Sequence, residues 1–265
     1  MMISGNLVKM KVEAGNPVDY NLILGDQNLR LNEYLGKKIS LSFNGQINCI
    51  ACGKLIPRSF AQGYCYPCML SSPMNSECII RPELCRAHLG KGRDPEWEER
   101  NHLQDHSVYL ALSSAVKVGV TRNTQIPTRW IDQGASAAIR FATVPNRFLA
   151  GLIEVELKKH ITDKTVWQKM LKNQVDNEAN LAEEKKKLSG VLNDELKAYV
   201  SDDNTVTHFD YPVLDYPEKV KSISFDKESI FEGELIGIKG QYVMLADNRV
   251  LNIRRHTGYY INFRD

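Results

Sequence analysis

Six cysteines lie between positions 49 and 85, and they constrain the fold more than any other feature of the sequence. In a small secreted protein this density would indicate disulfides. In a chain of 265 residues whose first residues contain no apolar signal region, it indicates metal ligands instead. The cysteines are Cys49, Cys52, Cys65, Cys68, Cys78 and Cys85.

Four of these cysteines form two CxxC pairs separated by twelve residues. Cys49 and Cys52 make the first pair, and Cys65 and Cys68 make the second. The two-residue gap lets both sulfurs of a pair face one ion, and Gly53 suits the tight turn that follows the first pair. We therefore predict a structural zinc ion in a zinc ribbon. A redox CxxC pair, buried free thiols and an iron–sulfur cluster are the alternatives.

Cys78 and Cys85 remain outside the ribbon. With His88 they give a Cys-x6-Cys-x2-His pattern, and His102 or His106 can supply a fourth ligand to a second zinc ion. The alternative is that both cysteines are buried and pack as small apolar residues.

The overall charge excludes a protein that coats nucleic acid by bulk charge alone. Lys and Arg number 34 and Asp and Glu number 32, which gives a net charge of +2. No apolar run approaches the roughly 20 residues of a membrane helix. We therefore expect a soluble cytoplasmic protein with no membrane partner.

The chain divides into five segments of different pattern. Apolar alternation at both ends predicts two β segments that can pair into one terminal β unit. The fold class predicted is α+β, with a zinc-ribbon module and a small mixed αβ core. The segments are 1–46 (β), 47–103 (zinc-binding module), 104–172 (αβ core), 173–204 (charged amphipathic helices) and 205–265 (β).

Within the αβ core, the runs SVYLAL and VKVGV predict a β-hairpin. Helices are predicted over 127–138 and 145–160, because Pro127 and Pro145 suit first-turn positions.

The motifs of this core resemble those of the GIY-YIG nucleases. Ser107-Val108-Tyr109 lies on the first strand, Lys117-Val118-Gly119 on the second, Arg129 on the next helix and Glu154 on a later one. Lys117 resembles the phage-type branch, which reads K-I-G. The resemblance covers residues 105–172. It implies a GIY-YIG-like fold and a metal-dependent endonuclease. Ser107 stands where the family has Gly.

The resemblance also implies a role for each residue. Tyr109 would be the base or orient the attacking water, with Lys117 lowering its pKa. Arg129 would clamp the phosphate, and Glu154 would hold Mg²⁺ or Mn²⁺. In the alternative interpretation Tyr109 is a core residue, and Arg129 and Glu154 form an ordinary ion pair between helices.

The whole chain also resembles a cysteine-rich bacterial family of uncharacterised function. The strings that carry this resemblance are Val108–Ala111, Lys117–Arg122 and Pro127–Ala135. That family resemblance implies further cysteines near 92 and 102, where this chain has Gly92 and His102. A second metal site would then be altered or lost.

Charge within the core favours a polyanionic partner. Between 117 and 172 ten basic residues face four acidic ones, whereas 173–203 holds eight acidic and four basic residues. We expect DNA or RNA to bind through Arg122, Arg129, Arg147 and Lys158. A zinc-dependent nucleic-acid-binding protein without catalysis is an alternative to the nuclease, and a protein-interaction adaptor is another.

Overall fold

In a computed structural model, which describes residues 2–265, the chain folds into two compact units. Unit 1 comprises the residues up to Leu70, together with Leu171–Asn173 and Phe209–Asp265. Unit 2 comprises Ser71–Met170 and Gln174–His208. The segment predicted as one zinc-binding module, 47–103, is therefore divided between the units.

The elements are numbered in chain order. The strands are β1 Met2–Asn6, β2 Lys11–Glu13, β3 Asp19–Leu24, β4 Gln27–Arg30, β5 Lys38–Ile47, β6 His106–Leu112, β7 Val116–Arg122, β8 Ala137–Val144, β9 Thr207–His208, β10 Lys221–Ile223, β11 Ile230–Lys239, β12 Tyr242–Leu245, β13 Arg249–Asn252 and β14 Tyr259–Arg264. The α-helices are α1 Tyr66–Ser71, α2 Pro95–His102, α3 Thr128–Asp132, α4 Arg147–Leu157, α5 Trp167–Leu171, α6 Leu181–Ser189 and α7 Asp194–Lys197. Short 3₁₀ turns cover Leu31–Tyr34, Pro73–Asn75, Glu77–Ile79, Pro82–Leu84, Ala87–Leu89, Asn123–Gln125 and Arg254–His256.

Unit 1 is built on a seven-stranded sheet of order β1-β14-β5-β11-β12-β13-β10, beside a three-stranded sheet β2-β3-β4. Only the β10–β13 pair is parallel among the pairs of these sheets. Phe263 of β14 lies opposite Ile3 on one side and Leu41 on the other, and Phe231 of β11 also lies opposite Leu41. The first and last strands of the chain thus share one sheet.

Alternation of side chains explains these strands. Tyr20, Leu22 and Leu24 of β3 are buried, and the residues between them are partly exposed. Strand β14 alternates in the same way, and the ring of its Phe263 meets that of Tyr34 edge-on at 5.2 Å between centroids. A period of two buries one face of each strand.

Unit 2 is built on an antiparallel four-stranded sheet of order β7-β6-β8-β9. Every residue of the inner strand β6 is buried. Helix α4 packs on this unit's core through Ala150, Ile153 and Leu157, and α6 contributes Leu181 and Leu188. The mixed composition of helices and antiparallel strands confirms the predicted α+β class.

The predicted helix over 127–138 is shorter in the structure. Helix α3 ends at Asp132, and β8 begins at Ala137. Gly134 lies between them at φ +66°, a left-handed conformation that stops a helix and that glycine adopts without strain. The helix predicted over 145–160 is present as α4, and the side chain of Asn146 caps it by accepting a hydrogen bond from the N–H of Leu149 at 2.9 Å.

Across residues 2–265, none of the helices has the length and apolar character that crossing a bilayer requires.

Gly119 of β7 lies opposite Tyr109 of β6, and the tyrosine ring lies directly over it. A Cβ at position 119 would stand 2.5 Å from the Tyr109 Oη and 2.6 Å from Cζ. We expect Gly119→Ala to lower the free energy of unfolding by about 1–3 kcal/mol, because a buried ring must move.

Urea unfolding measures this change. Gly190→Ala is the control, since Gly190 has a right-handed conformation at φ −74° and should change stability by no more than about 0.5 kcal/mol. Equal effects of the two substitutions would contradict the packing argument.

Candidate metal centres and a buried polar cluster

The four cysteines of the two CxxC pairs come together in unit 1. The sulfur atoms of Cys49, Cys52, Cys65 and Cys68 all lie within 4.8 Å of one another. The Cys52 and Cys65 sulfurs are 3.9 Å apart. Zinc–sulfur bonds of about 2.3 Å in a tetrahedron require sulfurs about 3.8 Å apart. The group therefore has the geometry to hold one zinc ion, with protein ligands at all four positions.

The turn after Cys49 prepares this sulfur for a metal. Gly53 has φ +71°, and its N–H donates to the Cys49 carbonyl at 2.8 Å. Burial opposes ionisation of Cys49, but hydrogen bonds from the backbone N–H groups of Cys65, Cys52 and Ala51 outweigh it and lower the pKa of the thiol to about 6. A thiol that is ionised at neutral pH is ready to bind zinc.

A second group forms in unit 2 from Cys78, Cys85, Glu98 and His102. One ligand atom from each lies within 4.8 Å of the others, and all four residues are buried. His102 Nδ1 stands 3.6 Å from the Cys85 sulfur and 3.9 Å from the Cys78 sulfur. A tetrahedral zinc site requires about 3.5 Å between its sulfur and nitrogen ligands. Two thiolates, one imidazole and one carboxylate can therefore hold a second zinc ion.

The structure places Glu98, rather than His88, in this second group. The ring of His88 packs against Phe148 with centroids 4.6 Å apart. His106, the other candidate, uses Nδ1 to contact the Gln104 carbonyl at 2.7 Å. Of the two histidines offered as a fourth ligand, the group contains His102.

Glu98 was not predicted as a ligand from the sequence, although its four-residue spacing from His102 indicates that both lie on one face of a helix. Asp94 caps helix α2 by accepting from the N–H of Trp97 at 3.0 Å. Residues four apart on a helix share a face, so Glu98 and His102 point the same way, and their side chains are in contact. The pattern Asp-Pro followed by Glu-x3-His indicates a helix with an N-terminal cap and two metal-ligating residues on one face.

The glycine at position 92 makes room for this carboxylate. A Cβ there would lie 2.3 Å from Glu98 Cγ and 2.9 Å from Oε1. Any side chain at position 92 would occupy the space that Glu98 fills. In this chain Glu98 and His102 complete the group with the two cysteines.

Helix α4 contacts the segment that carries the second group. Arg147, at its first position, donates from Nε to the Cys78 carbonyl and from Nη2 to the Ile79 carbonyl, both at 2.8 Å. Gly151 lies so close to the 3₁₀ turn at Pro82–Leu84 that a Cβ would stand 2.1 Å from the Glu83 nitrogen. The segment that carries the cysteines therefore packs directly on α4.

A separate polar cluster lies around Tyr109. Its hydroxyl donates to Gln133 Oε1 at 3.1 Å, and Lys117 Nζ donates to the same oxygen. Arg129 is close enough for its charge to act on both Tyr109 and Lys117. Gln133, which joins the two, was not foreseen from the sequence, since a glutamine between a helix and a glycine has many ordinary roles.

Burial changes the proton affinities in this cluster. Tyr109 is fully buried, and desolvation raises its pKa, although Arg129 opposes the rise. The expected lowering of the Tyr109 pKa is thus corrected. Desolvation, followed by the charge of Arg129, lowers the pKa of Lys117 to about 7.

Glu154 lies on α4 and is 7 % exposed. Lys158 Nζ lies 3.2 Å from its Oε2 and 3.1 Å from Asp163 Oδ2. Burial raises the pKa of Glu154, while Lys158 opposes this rise. Glu156 points elsewhere and pairs with Lys159 at 2.6 Å.

Most of the predicted nucleic-acid contacts have partners within unit 2. Arg122 Nη1 donates to Asn101 Oδ1. Arg147 binds two backbone carbonyls, and Lys158 is paired with two carboxylates. The excess of basic residues between 117 and 172 is therefore not all available as a free basic surface.

Comparison with known proteins gives one match. The model of a family described as "Protein of unknown function (DUF2797)" matches residues 36–261. No curated protein and no solved structure matches the chain significantly. This finding confirms the expected membership of a family without an assigned function. It gives no link to the GIY-YIG nucleases, so that resemblance stays a prediction from short motifs.

We expect two zinc ions per chain by mass spectrometry of the purified protein. Cys52→Ser should reduce the content to one, and Cys78→Ser should also reduce it to one, because each change removes a ligand from a different group. His88→Ala is the matched control and should retain two. A single zinc ion in the unaltered protein would exclude the second site.

Stability should depend on pH through Lys117. Its pKa is about 7 in the folded chain and near 10.5 as an ordinary lysine. Between these values the unfolded chain holds a proton that the folded chain lacks, so stability rises as the pH rises from about 7. Urea unfolding between pH 6 and 10 should show the native protein gaining stability relative to Lys117→Met. A difference that is constant with pH would contradict the shift.

Proposed function

This chain belongs to the family just named, DUF2797, and we propose that it is a zinc protein that binds nucleic acid and cleaves phosphodiester bonds with metal assistance. The observation that supports this proposal is the grouping of Tyr109, Lys117 and Arg129 around Gln133, with Glu154 near enough for its charge to act on Tyr109. These residues are far apart in sequence and combine the chemical types that phosphodiester hydrolysis requires.

Lys117 is the better candidate for the base. A general base works best when its pKa lies near the working pH, and the pKa of Lys117 is about 7. Tyr109 has a raised pKa, so its hydroxyl keeps the proton that it donates to Gln133, and its oxygen can accept a hydrogen bond from a water. Gln133 fixes both side chains through one oxygen.

Arg129 supplies a charge that can clamp the phosphate. The residue is partly exposed and carries a planar guanidinium. A planar fork of donors suits two phosphate oxygens at once.

Glu154 is the residue that would hold Mg²⁺ or Mn²⁺, with Asp163 nearby. Its Oε2 is buried and already binds one cation, the ammonium of Lys158, at 3.2 Å. Lys158 would therefore have to leave this oxygen. A bound divalent ion would stabilise the negative charge that develops on the phosphate.

Binding without catalysis is the second candidate. The observation that favours it is the complete burial of Tyr109, whose hydroxyl is bonded to Gln133 in the described conformation. In this case binding would weaken with salt and would not depend on Glu154.

The test compares two neighbouring carboxylates. The protein is incubated with single-stranded, duplex and branched DNA and with RNA, in Mg²⁺ or Mn²⁺. We expect Glu154→Gln to reduce cleavage about 100-fold or more, because the divalent ion that stabilises the developing charge would lose its carboxylate ligand. Glu156→Gln is the control, since Glu156 pairs with Lys159 and should leave cleavage unchanged.

Absence of cleavage of every substrate would reject the nuclease. Salt-sensitive binding that survives Glu154→Gln would then support the second candidate.

A further inference from the structure

A cavity of about 560 Å³ lies beside the second metal group in unit 2. Its walls include Cys78 and Glu98, which are two of the four metal-ligating residues, and three cations, Arg86, Lys91 and Arg93. This volume is typical of a site for a small molecule, for which about 300–1,000 Å³ is usual.

We propose that this cavity binds a phosphate-bearing small molecule, whose phosphate is held by Arg86, Lys91 and Arg93 and meets the metal in place of the Glu98 carboxylate. The proposal is independent of the cluster around Tyr109 and would stand if that cluster had no activity.

The charge of the cavity favours an anion. Glu77 also lines it, but its carboxylate pairs with Arg81 at 3.3 Å. Glu98 contacts His102 and accepts from Ser76 Oγ at 3.3 Å. Both acids of the wall are therefore engaged with other groups.

One of the three cations is held in place. Arg93 Nη1 donates to the Ser72 carbonyl at 2.9 Å, which keeps the guanidinium at the cavity wall. A guanidinium held in this way loses less freedom when it binds an anion, and its fork of donors matches phosphate oxygens.

The positions of the four metal-ligating residues indicate which of them an incoming phosphate would replace. Cys78 and Glu98 border the cavity, whereas Cys85 and His102 do not line it. Thiolates bind zinc as soft donors and are retained, while a carboxylate is exchanged more easily for another oxygen ligand. Zinc sites with three protein ligands and one open position are those that bind external molecules.

Gly92 shapes this wall. It lines the cavity and lies against Glu98 without a side chain between them. The carboxylate is therefore bordered by backbone on this side and by the cavity, and an incoming phosphate oxygen would displace a side chain that is 3 % exposed.

Calorimetry on the zinc-loaded full chain tests the binding, with inorganic phosphate, adenosine 5′-monophosphate and adenosine as probes. We expect phosphate and the monophosphate to bind and adenosine not to bind. Tighter binding of the monophosphate would identify a phosphorylated organic molecule as the ligand, and equal binding would identify free phosphate. Binding of adenosine alone, or of no probe, would overturn the proposal.

Matched variants assign the binding to the cavity. Arg86→Ala and Arg93→Ala should each weaken phosphate binding about 10-fold or more, which corresponds to about 1.4 kcal/mol. Arg100→Ala removes the same charge from an exposed position outside the set that lines the cavity, and should have no effect. Each variant must retain two zinc ions per chain, so a loss of binding cannot come from a lost metal. Equal effects of all three substitutions would overturn the assignment.

Cobalt substitution tests the contact with the metal. Co²⁺ in a thiolate site has visible absorption bands that change with its ligands. We expect phosphate to shift these bands in the native protein and Glu154→Gln to leave the shift unchanged. An unchanged spectrum at saturating phosphate would overturn the exchange of Glu98, whatever the outcome of the nuclease assay.

Discussion

Two groups of metal-ligating side chains can hold the cysteine-rich segment together, where apolar burial is small. Its large apolar side chains are often exposed, with Leu55 at 71 % and Ile80 at 83 %. The buried apolar cluster of its second half consists of Cys78, Cys85 and Ala87, with Phe148 packed against it. Metal coordination can provide the folding free energy that such a segment lacks.

Arg147 links the segment that carries the second metal group to the αβ core of unit 2. Arg147 donates to the carbonyls of Cys78 and Ile79, and it also begins the helix that carries Glu154. Burial lowers the pKa of Arg147, while Cys78 and Cys85 oppose this effect. A variant that loses a ligand of the second group can therefore also move the helix that carries Glu154.

The sequence predicted the features that depend on local residue spacing. It did not reveal the features that depend on tertiary contacts. The ribbon cysteines were predicted because the two-residue gap of a CxxC pair lets both sulfurs face one ion. Glu98 was missed because its role depends on where α2 lies and on the absence of a side chain at Gly92. The surplus of basic residues suggested a binding surface, yet Lys158 shows that a charge count cannot reveal which cations already have partners.

The position of β14 between β1 and β5 has a consequence for synthesis of the chain. The sheet of unit 1 cannot close until β14 has left the ribosome, because Phe263 lies between Ile3 and Leu41. All of unit 2 precedes residue 209 in the chain. Strands β1 and β5 therefore have unpaired edges while unit 2 is made, and unpaired strand edges are prone to incorrect pairing.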